Sequence, residues 1–211
     1  MIILFDLDGT LIDSTEAILE SFHNSFDIFK VEHPSDEDIK ALIGYPLDVM
    51  YRELGVEESV VWDYVGVYKE YYRVISREKT ELLLNAKESV ILANDIAELG
   101  IVTTKTGKYS QVLMEHFGIM SYFKVLIGRE NVKNPKPDAE PILKALESFS
   151  REDKDIWMIG DTKLDLISAK NAGINSIGVL SGYDSKKVLQ EHTEYIFETA
   201  LEAIKYLQSR K

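Results

Sequence analysis

The sequence lacks cysteine, and it is poor in basic residues. Without cysteine, disulfide bonds and thiolate metal sites are excluded, although this absence does not identify the compartment. The 24 basic residues are outnumbered by 36 acidic ones, which gives a formal net charge of −12. Nucleic acids and anionic membranes bind basic surfaces, so neither is expected as a partner. A phosphorylated ligand would be repelled at long range, and any anion site must therefore be local.

Long apolar runs are also missing from the sequence. The stretch from Val90 to Val102 is interrupted by Asp95 and Glu98, so we expect no membrane-spanning helix. Residues 1–5 reach Asp6 without a basic segment or a small-residue cleavage site, which predicts no signal peptide and a cytoplasmic location. A composition of 45% hydrophobic and 28% charged residues is typical of a globular protein. We expect a monomer or a homodimer.

The periodicity of the apolar residues changes along the chain. Residues 1–5 form a short apolar run ending at Asp and Gly, which is typical of a buried strand. Residues 14–80 show only helical patterns, and a further helix is expected at 86–98. The later predicted strands lie at 100–104, 124–127, 155–159, 175–180 and 195–197, with helices between them. This alternation predicts an α/β fold with a doubly wound, mostly parallel sheet. Residues 1–13 and 81–211 would form the core, and residues 14–80 an inserted helical domain.

Polar residues follow several of the predicted strands, where open parallel sheets bind their ligands. These residues are Asp6, Asp8, Thr103, Thr104, Lys105, Asp161 and Asp165, and Lys136 lies in the loop before a later helix. Clustered carboxylates repel one another, and Mg²⁺, which prefers oxygen ligands, would relieve that repulsion. One carboxylate could attack phosphorus, and a second could act as general acid and base. Taken singly, Asp8-Gly9 also fits an ordinary turn, and Asp161 also fits a helix cap.

Four segments resemble the ordered motifs of the haloacid dehalogenase superfamily. They are Asp6-Leu7-Asp8-Gly9-Thr10, Val102-Thr103, Lys136-Pro137, and Gly160-Asp161-Thr162 with Asp165. The resemblance spans the whole chain, includes a helical cap inserted after the first motif, and is greatest to the phosphoglycolate-phosphatase-like members. It implies a Rossmann-like core and a magnesium-dependent phosphatase that hydrolyses a small phosphate monoester through an aspartyl phosphate.

The resemblance also implies roles for individual residues. Asp6 would be the nucleophile and a Mg²⁺ ligand, and Asp8 the general acid and base, with its carbonyl oxygen on the metal. Asp161 would be a further acidic ligand, and Asp165 would complete the metal site, most directly by supporting the inner ligands. Thr103 would hydrogen-bond the phosphoryl group, and Lys136 would hold the nucleophile and phosphate together. The candidate substrate contacts are Gly9 and Thr104 in the core and Tyr45 and Arg52 in the cap.

Several alternatives remain open on the sequence. Asp8 argues for phosphoryl transfer rather than dehalogenation, because dehalogenases lack an aspartate at this position. Sugar-phosphate mutases resembling β-phosphoglucomutase carry histidine where this chain has Ile18, so that activity is a minor alternative. Thr104 stands where related phosphatases often have asparagine, which weakens assignment to any one substrate. Pyrophosphatase and nucleotidase activities stay open, as does a non-catalytic member that binds a phosphometabolite or a protein.

Overall fold

The computed structural model describes residues 1–150, 152 and 154–210. The chain divides into two compact units. The larger unit comprises Met1–Asp13 and the chain from Leu82 onward, and the smaller unit comprises Ser14–Glu81. No helix in the described residues is both long enough and apolar enough to cross a membrane.

The smaller unit is helical. Its helices are α1 (Thr15–Phe29), α2 (Asp36–Lys40), α3 (Leu47–Glu53) and α4 (Val61–Ile75). An aromatic core joins α1, α3 and α4: the ring of Phe22 lies 4.6 Å from that of Tyr51 and 5.1 Å from that of Tyr68. The hydroxyls of Tyr51 and Ser25 form a buried hydrogen bond of 2.7 Å, which satisfies both polar groups inside this apolar core.

The larger unit contains a six-stranded parallel sheet. Its strands are β1 (Ile2–Phe5), β4 (Glu98–Val102), β5 (Phe123–Ile127), β6 (Ile156–Gly160), β7 (Asn175–Val179) and β8 (Ile196–Phe197). The helices between and after them are α5 (Ala86–Asn94), α6 (Gly107–His116), α7 (Glu140–Leu146), α8 (Lys163–Asn171), α9 (Lys186–Gln190) and α10 (Ala200–Ser209). Short 3₁₀ turns lie at Met120–Tyr122 and Arg129–Asn131. The predicted α/β class with a parallel sheet is confirmed.

The strand order determines where a ligand site should form. The order is β5-β4-β1-β6-β7-β8, so the chain builds outward on one side of β1 and then on the other. β1 pairs in parallel with both β4 and β6, and apolar clusters pack against the two faces of the sheet. Ligands of open α/β sheets bind beyond the carboxyl ends of the strands, where the order reverses. In this chain that point is the end of β1.

Four elements differ from the sequence expectation, two in their bounds and two in not having been predicted. Helix α5 ends at Asn94 rather than 98, and β4 begins at Glu98 rather than 100. Two short strands, β2 (Ile12–Asp13) and β3 (Glu81–Leu82), were not predicted, and they pair with each other. Each has only two residues, too few to show an alternating pattern, and the two strands lie far apart in the sequence.

Candidate active site

Asp6 lies at the carboxyl-terminal edge of the sheet, directly after the central strand β1. The amide of Asp6 donates to the carbonyl oxygen of Ile159 (2.9 Å), so the hydrogen-bond ladder continues one residue past β1. On the other side, the amide of Thr103 donates to the carbonyl oxygen of Ile127 (2.9 Å) just after β4. The residues that follow β1 and β4 are therefore held by the same ladder that forms the sheet.

Three buried carboxylates meet at this edge. Asp6, Asp161 and Asp165 each present an oxygen, and these three atoms lie within 4.8 Å of one another. Burial raises the pKa of Asp6 to about 7; the charge of Lys136 opposes the shift and that of Asp165 adds to it. Burial also raises the pKa of Asp161 well above its usual value, with further contributions from Asp165 and Asp6. Asp6 and Asp161 thus bind protons more tightly than isolated carboxylates do.

Lys136 places a buried cation among these carboxylates. Its ammonium lies 2.9 Å from Asp6 Oδ1 and 2.5 Å from Asp165 Oδ1, and it donates to the carbonyl oxygen of Val102 at 3.1 Å. Burial alone would lower the pKa of Lys136, but the charges of Asp165 and Asp6 raise it above its usual value, so the side chain stays protonated. Glu140, at the start of α7, holds the preceding loop by accepting from two backbone amides of residues 133 and 134.

Asp161 is oriented by groups for which the sequence predicted no such role. Thr10 Oγ1 donates to Asp161 Oδ1 (3.1 Å), and the amide of Tyr183 donates to Asp161 Oδ2 (2.9 Å). Gly9 has a φ of +78°, and a Cβ there would lie 2.3 Å from Asp161 Oδ2; a Cβ on Gly182 would lie 2.0 Å from the same oxygen. The loop after β7 is therefore part of the site. A Ser-Gly-Tyr stretch after a predicted strand was the available signal: Gly182 and the amide of Tyr183 approach Asp161, and the Ser181 hydroxyl donates to the carbonyl oxygen of Gly9 (2.8 Å).

Asp165 is engaged on both oxygens. Oδ2 accepts from the amide (3.1 Å) and the hydroxyl (2.8 Å) of Thr162, and Oδ1 lies against Lys136. Thr162, and not Asp161, is the N-cap of α8, and Asp165 is the third residue of the helix in a capping box. Asp161 is therefore not used as a helix cap, and its carboxylate can serve as a metal ligand. Asp165 stabilises the first turn of α8 and holds the Lys136 ammonium in place.

Asp8 forms an ion pair with a second lysine, Lys105. The ammonium of Lys105 lies 2.9 Å from Asp8 Oδ2, and the two side chains are only 10% and 13% exposed. From the sequence a role was predicted for Lys136 and none for Lys105. The structure gives each a different carboxylate: Lys136 contacts Asp6, and Lys105 contacts Asp8.

The remaining predicted site residues are distributed over both units. Thr103 is buried after β4, and its hydroxyl oxygen accepts from the amide of Lys105 (3.2 Å). Thr104 is the next residue of the same turn and is half-buried. Tyr45 and Arg52 belong to the smaller unit, where the Arg52 guanidinium forms ion pairs with Asp48 (2.7 Å) and Glu58. The roles assigned to these residues from the sequence stay predictions.

The donor set fits a hard divalent cation. Asp6, Asp8 and Asp161 offer carboxylate and backbone oxygens, which are the ligands that Mg²⁺ prefers. Asp6 Oδ1 is buried and accepts no hydrogen bond of good geometry, although the Lys136 ammonium is close. A buried carboxylate oxygen of this kind is a ready ligand atom. Asp165, with both oxygens engaged, fits a supporting position beside the metal better than a place on it.

Comparison with known proteins identifies the family of this fold and site. The model of the haloacid dehalogenase-like hydrolases matches residues 3–179. The pyrophosphatase PpaX of Bacillus velezensis is 30% identical to this chain over 213 residues, covering 94% of this chain and 96% of that protein.

Solved structures agree with the family match. A haloacid dehalogenase-like hydrolase, SP0104 of Streptococcus pneumoniae, superposes with a TM-score of 0.88 at 27% identity, covering 98% of both chains. A predicted phosphoglycolate phosphatase of Haemophilus somnus superposes with a TM-score of 0.88 at 25% identity, covering 98% of this chain and 97% of its own. The likeness therefore extends over both units of the chain.

Proposed function

The chain belongs to the haloacid dehalogenase-like hydrolases, and we propose that it is a magnesium-dependent phosphatase acting on a small phosphate monoester in the cytoplasm. The observation that carries the proposal is the buried Asp6 at the end of β1, next to the Lys136 ammonium and Asp161 and two residues before Asp8. This arrangement combines a nucleophile, a positive charge for the phosphoryl group, a metal ligand and a proton donor.

The first step transfers the phosphoryl group to Asp6. A carboxylate oxygen of Asp6 forms a bond to phosphorus, and the bond from phosphorus to the ester oxygen breaks. The electron pair stays on the leaving oxygen, which takes a proton from Asp8. Lys136, 2.9 Å from Asp6, would stabilise the negative charge on the transferring group, and Thr103 would donate to a phosphoryl oxygen.

The second step hydrolyses the aspartyl phosphate. A water oxygen attacks phosphorus while the Asp8 carboxylate takes its proton, and the bond between phosphorus and Asp6 breaks to release inorganic phosphate. Asp6, Asp8 and Asp161 would hold Mg²⁺, which when bound supplies positive charge to the phosphoryl oxygens. Asp165 would keep Lys136 in place through both steps. The smaller unit, Ser14–Glu81, is proposed to act as the cap that selects the substrate.

Pyrophosphate is a second candidate substrate. The support for it is the 30% identity to a pyrophosphatase over nearly the whole chain. The same two steps apply, with phosphate in place of an alcohol as the leaving group. The two candidates differ only in the group that departs, so a single panel of substrates separates them.

The test is phosphate release from a panel of monoesters and pyrophosphate, with Mg²⁺ and with excess chelator. We expect hydrolysis that requires Mg²⁺ and that falls by at least about a thousandfold in Asp6→Asn, since the amide cannot form the intermediate. Asp95→Asn, at the exposed end of α5, is the matched control and should retain full activity. Activity that persisted in Asp6→Asn, or that ignored the chelator, would refute the proposal.

A further inference from the structure

Lys105 is a cation that the mechanism above does not use. Its ammonium lies 2.9 Å from Asp8 Oδ2, and its side chain is only 10% exposed, which is unusual for lysine. By contrast, Lys136 lies on the Asp6 side of the site. In the proposed function Asp6 attacks the phosphorus and Asp8 protonates the group that leaves, so the two lysines would lie towards opposite sides of the phosphorus.

The backbone around Lys105 is fixed on both sides. Its amide donates to Thr103 Oγ1 (3.2 Å), and its carbonyl oxygen accepts from the amide of Arg129 (3.0 Å). The following turn is held by Glu130, whose carboxylate accepts from the amide of Gly107 at 2.8 Å. Lys105 is therefore part of a built turn after β4, and its ammonium is held beside Asp8.

The position of Lys105 relative to the leaving group follows from the chemistry. Asp8 must come within about 3 Å of the ester oxygen to protonate it, which puts the Lys105 ammonium within about 6 Å of that oxygen when Oδ2 carries the proton and within about 8 Å when Oδ1 does. An anionic group a few bonds beyond the ester oxygen falls in this range. In a site so little exposed, the attraction is screened far less than in water.

We propose that Lys105 is a specificity-determining residue that favours leaving groups carrying their own negative charge, either a second phosphate or a carboxylate. The inference rests on the proposed function and narrows its substrate class. It accounts for how a chain with a net charge of −12 could select a substrate with two anionic groups: each group would have its own lysine of low exposure.

The experiment compares kcat/KM for three substrates with Mg²⁺ present. Pyrophosphate and 2-phosphoglycolate have anionic leaving groups, whereas 2-hydroxyethyl phosphate has a neutral one of similar size. We expect the wild-type protein to prefer at least one anionic substrate over the neutral ester, and the better one identifies the anion. Lys105→Met should lower kcat/KM for that substrate about 10- to 100-fold, the range for losing a charged hydrogen-bond partner, and lower that for the neutral ester less than about threefold.

Two further variants complete the design. Lys105→Arg keeps the charge and should retain most of the preference, and Lys108→Met, an exposed lysine in α6, should leave all three values unchanged. An equal loss for all three substrates in Lys105→Met would overturn the inference and leave Lys105 as a support for Asp8. A wild-type preference for the neutral ester would also overturn it, without any variant having to fold. If no substrate were hydrolysed at all, the proposed function itself would fail.

Discussion

Replacing Lys136 by methionine should destabilise the metal-free protein by about 3 to 5 kcal/mol, the range for removing one partner of a buried ion pair. Lys136 is 3% exposed, and its ammonium lies 2.9 Å from Asp6 and 2.5 Å from Asp165. At an effective dielectric constant of about 20, a single pair at the Asp6 distance is worth about 6 kcal/mol. The methionine recovers part of this because a buried ammonium no longer has to be desolvated. The buried carboxylates are then left without their cation.

The assay is urea unfolding at pH 7.5 in excess chelator. Lys124→Met is the matched control, because Lys124 pairs with Glu98 at 2.8 Å on the surface, and this change should cost less than about 1 kcal/mol. Added Mg²⁺ should raise the melting temperature of Lys136→Met more than that of the wild type, since a site that has lost a positive charge binds a cation more tightly. A loss in Lys136→Met no larger than in Lys124→Met would refute the reasoning.

Three further predictions concern the same cluster. Gly182→Ala should weaken Mg²⁺ binding at least about tenfold in a thermal-shift titration, because its Cβ would lie 2.0 Å from Asp161 Oδ2. Thr10→Val should lower the free energy of unfolding by about 1 to 3 kcal/mol in urea, since a buried carboxylate loses a donor. The raised pKa of Asp6 stabilises the metal-free fold below pH 3.8, and this contribution is lost as the pH rises through about 7. The increase in melting temperature on adding Mg²⁺ should therefore be larger at pH 8 than at pH 6. An equal increase at both pH values would contradict the raised pKa of Asp6.

The sheet could be predicted because its strands are short apolar runs separated by helices. The exceptions occur where the sequence gives no local signal. Between Val90 and Val102 the apolar residues fit both the helical period and the strand period, and Gly100 resembles a break before a strand. In the structure Gly100 lies inside β4, where a Cβ would lie 2.8 Å from Leu4 and 3.0 Å from Val125. Only tertiary packing explains this glycine, so the end of α5 and the start of β4 were displaced in the prediction.

The site could be predicted as far as it depends on strand ends. Asp6 and Asp161 follow neighbouring parallel strands, and the pairing of β1 with β6 brings them together. The resemblance to known motifs implied the contact of Lys136 with Asp6, whereas the contact of Lys105 with Asp8 depends on side-chain paths through the loops and was not predicted. Likewise, Tyr183 orients Asp161 through its backbone amide, so its side chain gives no signal of its function.

The charges of the site explain why protons and a divalent cation should compete for it. The four carboxylates of Asp6, Asp8, Asp161 and Asp165 face two ammonium groups, a formal excess of two negative charges. A buried excess of this size must be neutralised. Protons can do so, as the raised pKa values of Asp6 and Asp161 indicate, but a protonated Asp6 is no nucleophile. A divalent cation would match the excess and leave Asp6 ionised, so the same ion that would activate the phosphoryl group would also keep the proposed nucleophile in its reactive form.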